Sequence, residues 1–264
     1  MINNSQKQTV NFEHKVNKKL IPTCNILGVN IAAINIEYLL DFLVENISLL
    51  SGDYICVSNV HTTVISSEDH EYCSVQNEGV MAIPDGGPLS TVGRIRGHKN
   101  MSRITGHDLM EEIFKISVNK GYRHYFYGST ENTNKKLFAR LLQNYPGIQI
   151  SGMYSPPFRN LSDEEDMDII RMINDTNSDF IWVGLGAPKQ EKWMVSHQGK
   201  VKGLMLGVGA GFDYIAENIS RAPEWMQRNN LEWVYRLMQD PRRLFKRYLI
   251  TNCKFIWKIV ILRR

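Results

Sequence analysis

Asp85 follows the apolar run Val80-Met81-Ala82-Ile83 and precedes two glycines, within the string IPDGGPL at 83–89. A carboxylate held at the mouth of a crevice suits a general base that takes a proton from an attacking hydroxyl. The same residue types also suit the cap of a following helix. Arg103 opens a second string, Arg103-Ile104-Thr105-Gly106-His107-Asp108, which leads into a helical pattern. An arginine beside a crevice would balance the charge of a departing diphosphate. A surface arginine next to a capped turn is the plainer reading. In Gly184-Leu185-Gly186-Ala187-Pro188-Lys189-Gln190-Glu191 a tight glycine turn meets a helix start. Free backbone N–H groups at such a turn can hold phosphate, and Gln190 can read a polar edge. Gly207-Val208-Gly209-Ala210-Gly211 is a comparable turn. Neither completes the GxGxxG fingerprint, and each serves equally as a close strand-to-helix connection.

Metal and redox chemistry find less support. Asp166-Met167-Asp168 has the DxD spacing of a carboxylate-held metal, but it continues Ser162-Asp163-Glu164-Glu165, a capping-box pattern with acids in the first turn. His61, His107, His124 and His197 lack ligand spacing, and Cys24, Cys56, Cys73 and Cys253 lack any CxxC pair. Free thiols and no bound metal or cofactor are therefore expected. A nicotinamide oxidoreductase would need a glycine pattern at the first strand-to-helix turn, where Val57-Ser58-Asn59-Val60 has none.

The elements that must position these residues alternate. Apolar runs YICV (54–57), VMAI (80–83), HYFY (124–127), FIWV (180–183) and GLMLGV (203–208) read as buried strands. Between them lie helical patterns near 34–50, 60–73, 107–119, 131–144, 163–175 and 188–198. This is an α/β fold with a doubly wound, mainly parallel, Rossmann-like sheet, whose ligand crevice lies beyond the carboxyl ends of the strands. Asn59, Asp85, Gly86, Gly128, Gly184, Gly186 and Gly209 all fall just after a strand.

Hydrophobic residues make up 43% of the 264 and charged residues 22%, which excludes a largely disordered chain. The net charge of +4 is uneven: residues 221–264 carry 11 Lys/Arg against 3 acids, a local +8, which leaves −4 on the remainder. Two helix-like segments are expected there, about 223–238 and 241–262, with aromatic residues among the basic ones as in a helix lying in a membrane interface. No stretch is long and apolar enough to span a bilayer. Residues 1–25 lack the apolar centre of a secretory signal and read as a mobile arm in a cytoplasmic protein. The expected division is thus an arm over 1–25, an α/β domain over 26–220 and a basic appendage over 221–264.

Taken together, IPDGGPL, RITGHDLM (103–110), WVGLGAPKQE (182–191), GVGAGFD (207–213) and RAPEWMQRNNLEWVYRL (221–237) resemble the WecG/TagA/CpsF family of bacterial glycosyltransferases. The resemblance runs from about 26 to 248. It implies an inverting, metal-independent transfer from a UDP-sugar donor to a polyprenyl-diphosphate-linked acceptor at the inner face of the cell membrane. By position, Asp85 matches the family's base, Arg103 its crevice arginine, Asn59 its polar residue after the first strand, and Gln190 and Glu191 its GxGxPxQE turn. Arg236 and Arg243 sit where appendage arginines complete the site, with Lys246 in place of a third. Glu217 departs from the family's glycine there. The donor sugar is left open among N-acetylmannosamine, its uronic acid and glucose, and a homo-oligomer is compatible with the sequence. The competing reading is a non-catalytic protein whose basic, aromatic tail binds a membrane or nucleic acid. Against a nucleic-acid partner stands the clustering of basic residues in the tail instead of along a groove.

Overall fold

The structure, a computed structural model, describes residues 16–261. The chain opens with a hairpin of β1 (Thr23–Ile26) and β2 (Val29–Ala32), closed by Leu27 and Gly28 at φ 54° and 94°, the positive pair that matches strand twist in two-residue turns. There follow α1 (Ile36–Asn46), β3 (Tyr54–Ser58), α2 (Val60–Ser66), α3 (His70–Glu78), β4 (Met81–Pro84), α4 (Gly87–Ile95) and α5 (Gly106–Lys120). The second half adds β5 (Arg123–Gly128), α6 (Glu131–Asn144), β6 (Gln149–Tyr154), α7 (Asp163–Asp175), β7 (Phe180–Gly184), α8 (Lys189–Ser196), β8 (Leu204–Gly207) and α9 (Gly211–Ile215). The appendage is α10 (Glu224–Arg228), α11 (Glu232–Gln239) and α12 (Pro241–Ile256), the last running into a π-turn at Trp257–Ile261.

Eight strands form one sheet in the order β1-β2-β4-β3-β8-β7-β5-β6, parallel throughout except for the β1–β2 hairpin. Both faces are covered, and alternate strand residues feed two cores. Ile55, Val57, Phe126, Trp182 and Leu206 pack with Leu39, Phe114 and Phe212 on one side. Tyr54, Cys56, Tyr125, Ile181, Val183 and Met205 pack with Val64, Leu89, Met194 and Phe255 on the other. That two-sided burial explains why these strands read as continuous apolar runs. The doubly wound α/β architecture expected from the sequence is present, with the basic helical appendage packed on it.

Several boundaries differ. The arm expected over 1–25 lies partly outside the described residues, and its last part belongs to the fold: Ile21 and Cys24 are buried, Lys18 pairs with Asp53 at 2.8 Å, and β1 starts at Thr23. The helix expected over 60–73 is two helices, because Asp69 accepts from the Tyr72 N–H and starts α3 afresh. The segment 223–238 is likewise divided, at Asn230 with φ 58°. Glu217, where the family has glycine, adopts φ 55°, the left-handed region glycine favours, and pairs with Arg140. All four cysteines are free.

α12 lies against α2 through Leu244, Thr251 and Phe255, all buried. Its other side carries Phe245 and Leu249, and Trp257, Val260 and Ile261 of the following turn continue that surface, each more than half exposed. The far end is clipped to the body by Glu68, which pairs with Lys254 at 2.9 Å and Lys258 at 3.5 Å.

Candidate active site

A cavity of about 650 Å³ opens at the carboxyl ends of β3, β4 and β8 and is closed from outside by α11 and α12. Asn59, Asp85, Gly86, Arg103, Gly186, Gln190, Gly209, Arg236 and Arg243, nine of the residues expected from sequence, line it together.

Asp85 is fixed by its backbone N–H, which donates to Ser58 O at the end of β3 at 2.7 Å. Burial pushes its carboxyl up to about 6 from an ordinary 3.8, against the pull of Arg103, a hydrogen bond from Asn59 and the charge of Arg236. Asp108 adds to the rise. A carboxylate titrating near neutrality is matched to accept a proton from a hydroxyl at working pH. Asn59 caps α2: its Oδ1 accepts from His61 N at 3.0 Å and Thr62 N at 3.2 Å, so its NH₂ is the end left for Asp85. Asp85 itself caps nothing, since Gly86, at φ 113°, is the N-cap of α4.

The arginines come from the body and the appendage. Arg103 pairs with Glu232 of α11, and both side chains are less than a fifth exposed (18% and 17%). Arg236 donates to the Tyr214 hydroxyl at 2.9 Å and lies 5.1 Å from the centre of its ring. Arg243 meets Asp240 at 2.6 Å. Lys246, expected to stand in for a third arginine, is exposed and off the cavity wall; Arg247 is on it, its Nε buried without a partner. Helix periodicity could have found this residue, because Arg247 falls three after Leu244 and four before Thr251, on the docking face of α12. His61, also on the wall, has a buried Nδ1 without a partner, and its pKa is lowered by burial and then by Arg247. Sequence reasoning also passed over Tyr214 and Glu232, whose types carry no signal until the appendage is docked.

Three expected site residues lie off the cavity wall. Gly128 has φ 124°, and a Cβ there would come within 2.6 Å of the Gly184 backbone; one at Gly184 would meet the Phe212 ring at 2.9 Å. These are glycines of close strand packing on the β5 side. Glu191 is wholly buried behind Gln190. Its carboxyl is raised by burial, against hydrogen bonds that include Gln190 and Tyr72.

Asp166 and Asp168 are engaged on α7, the first with His197 at 3.1 Å and the second with Arg171. Among the described residues, His107, Asp108 and Glu111 bring ligand atoms within 4.8 Å of one another. Arg221 already occupies that group, paired with Asp108 and 3.9 Å from Glu111. Burial alone would raise Asp108, but His107, Arg221 and Thr105 together hold it well below the usual carboxylate range. A cation there would stand against a guanidinium.

The sequence pattern described as the glycosyl transferase WecG/TagA/CpsF family matches residues 24–264. An N-acetylglucosaminyldiphosphoundecaprenol N-acetyl-β-D-mannosaminyltransferase of Bacillus subtilis (strain 168) is 31% identical over 218 residues, 81% of this chain and 82% of the relative. An enzyme of the same name from Staphylococcus aureus (strain MRSA252) is 26% identical over 229 residues, 84% and 87% of the two chains. Among the described residues no helix is long and apolar enough to cross a membrane. With a family match across nearly its whole length, the chain belongs to the WecG/TagA/CpsF family of glycosyltransferases.

Proposed function

We propose that the protein transfers a sugar from a UDP-sugar to a polyprenyl-diphosphate-linked saccharide, with inversion and without a metal ion, using Asp85 as base. The observation that carries this reading is Asp85, its carboxyl raised by burial, on the wall of one cavity with Arg103, Arg236, Arg243 and Arg247. Asp85 takes the proton of the acceptor hydroxyl as that oxygen bonds to the anomeric carbon. The bond from the anomeric carbon to the diphosphate oxygen breaks in the same displacement, so the configuration inverts. The negative charge that gathers on the leaving diphosphate is met by arginines, which do the electrostatic work a divalent cation does elsewhere. The activity for which the relatives are named makes N-acetylmannosamine the first donor sugar to try and an N-acetylglucosaminyl-diphospho-polyprenol the first acceptor.

On this reading residues 221–264 form a functional unit that completes the site and rests on the membrane. In support, α11 and α12 supply three of the five arginines on the cavity wall, and α12 exposes an apolar strip among Lys and Arg. The test is UDP release from a panel of UDP-sugars with the lipid-linked acceptor, with and without EDTA. Acceptor-dependent, EDTA-resistant release with one donor bears the proposal out. Release abolished by EDTA removes the metal-free mechanism, and no release with any donor removes the transferase reading.

A further inference from the structure

The Gln190 amide has no capacity left for a ligand. Its Oε1 accepts from Gly186 N at 3.2 Å and Gly209 N at 3.0 Å, and its Nε2 donates to Gly207 O at 3.0 Å and to Glu191 Oε1 at 2.8 Å. Two lone pairs and two N–H groups are thereby used up. The orientation is unique, since a flipped amide would set its NH₂ against two N–H donors and its oxygen against two acceptors. Instead of reading a substrate edge, Gln190 ties the turn after β7 to the turn after β8, and both turns are cavity wall.

Behind the amide runs a chain of polar side chains. Glu191 Oε1 accepts from Gln190 Nε2, its Oε2 is buried without a hydrogen-bond partner, and the Tyr72 hydroxyl is the next polar group acting on this carboxyl. The Tyr72 hydroxyl accepts from Gln76 Nε2 at 3.1 Å, and Gln76 Oε1 accepts from Ser58 Oγ. Ser58 ends β3, and its carbonyl is the acceptor for the Asp85 N–H. The path thus begins beneath the Asp85 turn and ends at the two glycine turns across the cavity. Tyr72 and the four other side chains are each at most 3% exposed. Burying so much polarity is costly, the more so with Glu191 Oε2 left without a partner, and an apolar filling would hold the layers together as well. What apolar packing does not supply is a fixed direction for one amide.

We infer that Glu191, backed by Tyr72, is a positioning residue: it holds the Gln190 amide in the one orientation that joins the Gly186 and Gly209 turns into a wall for a nucleoside diphosphate. The nucleoside diphosphate as occupant rests on the transferase reading above; the pinning of the two turns does not. Neither side chain lies on the cavity wall, so neither touches a ligand directly.

The experiment uses the full chain and three variants, Tyr72→Phe, Glu191→Leu and, as control, Tyr54→Phe. Tyr54 is equally buried, and its hydroxyl donates to Val75 O at 2.6 Å on α3, outside the chain to Gln190. Two readouts are taken: amide hydrogen exchange at Gly186 and Gly209, and UDP affinity by calorimetry. Glu191→Leu, which removes the acceptor for Gln190 Nε2, and Tyr72→Phe are expected to speed exchange at both amides by about tenfold or more and to weaken UDP by about tenfold. The Tyr72→Phe/Glu191→Leu double variant should be no worse than the worse single, because both act through one amide. Tyr54→Phe should lower thermal stability to a similar degree and change neither readout. Unchanged exchange at Gly186 and Gly209 overturns the inference, as does an equal effect of Tyr54→Phe. Faster exchange with unaltered UDP affinity overturns the link to the nucleotide. A wild-type protein that binds no UDP overturns the donor reading, and the exchange data then decide the positioning role alone.

Discussion

Replacing Asp85 with Asn should make the free protein more stable at neutral and higher pH. The folded carboxyl titrates at about 6 where an unhindered one titrates at 3.8. The gap of roughly 2 units corresponds to about 3 kcal/mol at ~1.4 kcal/mol per unit. Asp85 is partly exposed, and solvent screening brings the expected effect to about 1–3 kcal/mol. Because the folded value is raised, the advantage of the protonated form is fully present below the ordinary value of 3.8 and is lost as pH rises through about 6. Wild type therefore carries the whole penalty at about pH 8 and almost none near pH 4, whereas Asn is neutral throughout. Urea denaturation of both proteins at about pH 8, 6 and 4.5 measures the difference, which should be greatest at the highest pH and shrink toward zero. Titration of other groups is common to the two proteins and cancels. A variant less stable than wild type at about pH 8, or a gain of the same size at every pH, would refute the desolvation argument for Asp85.

Glu232→Ala removes the partner of Arg103 from a mostly buried ion pair, at an expected cost of about 1–3 kcal/mol. Limited proteolysis should then cut within 221–264 faster than in wild type while the sheet domain survives; an unchanged cleavage pattern would count against the docking role of this pair. Changing Phe245 and Trp257 to Ser on the open side of α12 should weaken binding to anionic lipid vesicles by roughly tenfold or more without altering thermal stability, as read by vesicle flotation. Equal flotation of variant and wild type would argue against a membrane-facing strip. Gly128→Ala should destabilise by about 2 kcal/mol or more, since φ is 124° and the new Cβ would meet the Gly184 backbone at 2.6 Å. If it instead raised the donor KM with stability intact, the packing account of this glycine would be wrong.

The strands most legible in the sequence are those buried on both faces, because YICV and FIWV have no polar alternation to confuse with a helix. The edge strand β6, QISGMY, is half-exposed and mixed in character and gave no such signal. The helix α4 was hidden by Gly87, Pro88 and Gly93, residues that read as loop until Pro88 is seen in its first turn. Within the site, residues following β3, β4, β7 and β8 could be named because strand ends converge in a doubly wound sheet. Gly128 and Gly184 follow the same rule of position, yet they serve strand packing beside the crevice. Position after a strand does not say which way a glycine's missing side chain would point. Glu232 was illegible for another reason: its partner Arg103 lies more than a hundred residues away, and only the docked appendage brings the two together at the cavity, where Arg247, legible only as part of the docking face of α12, joins them.

The most direct test of the central claim compares wild type with Asp85→Asn in sugar transfer from the preferred UDP-sugar to a polyprenyl-diphosphate-linked acceptor at about pH 8. Removing a positioned general base should lower kcat by about 10²–10⁴ while UDP affinity stays within a few fold. Transfer by the variant within tenfold of wild type would contradict the assignment of Asp85 as the base.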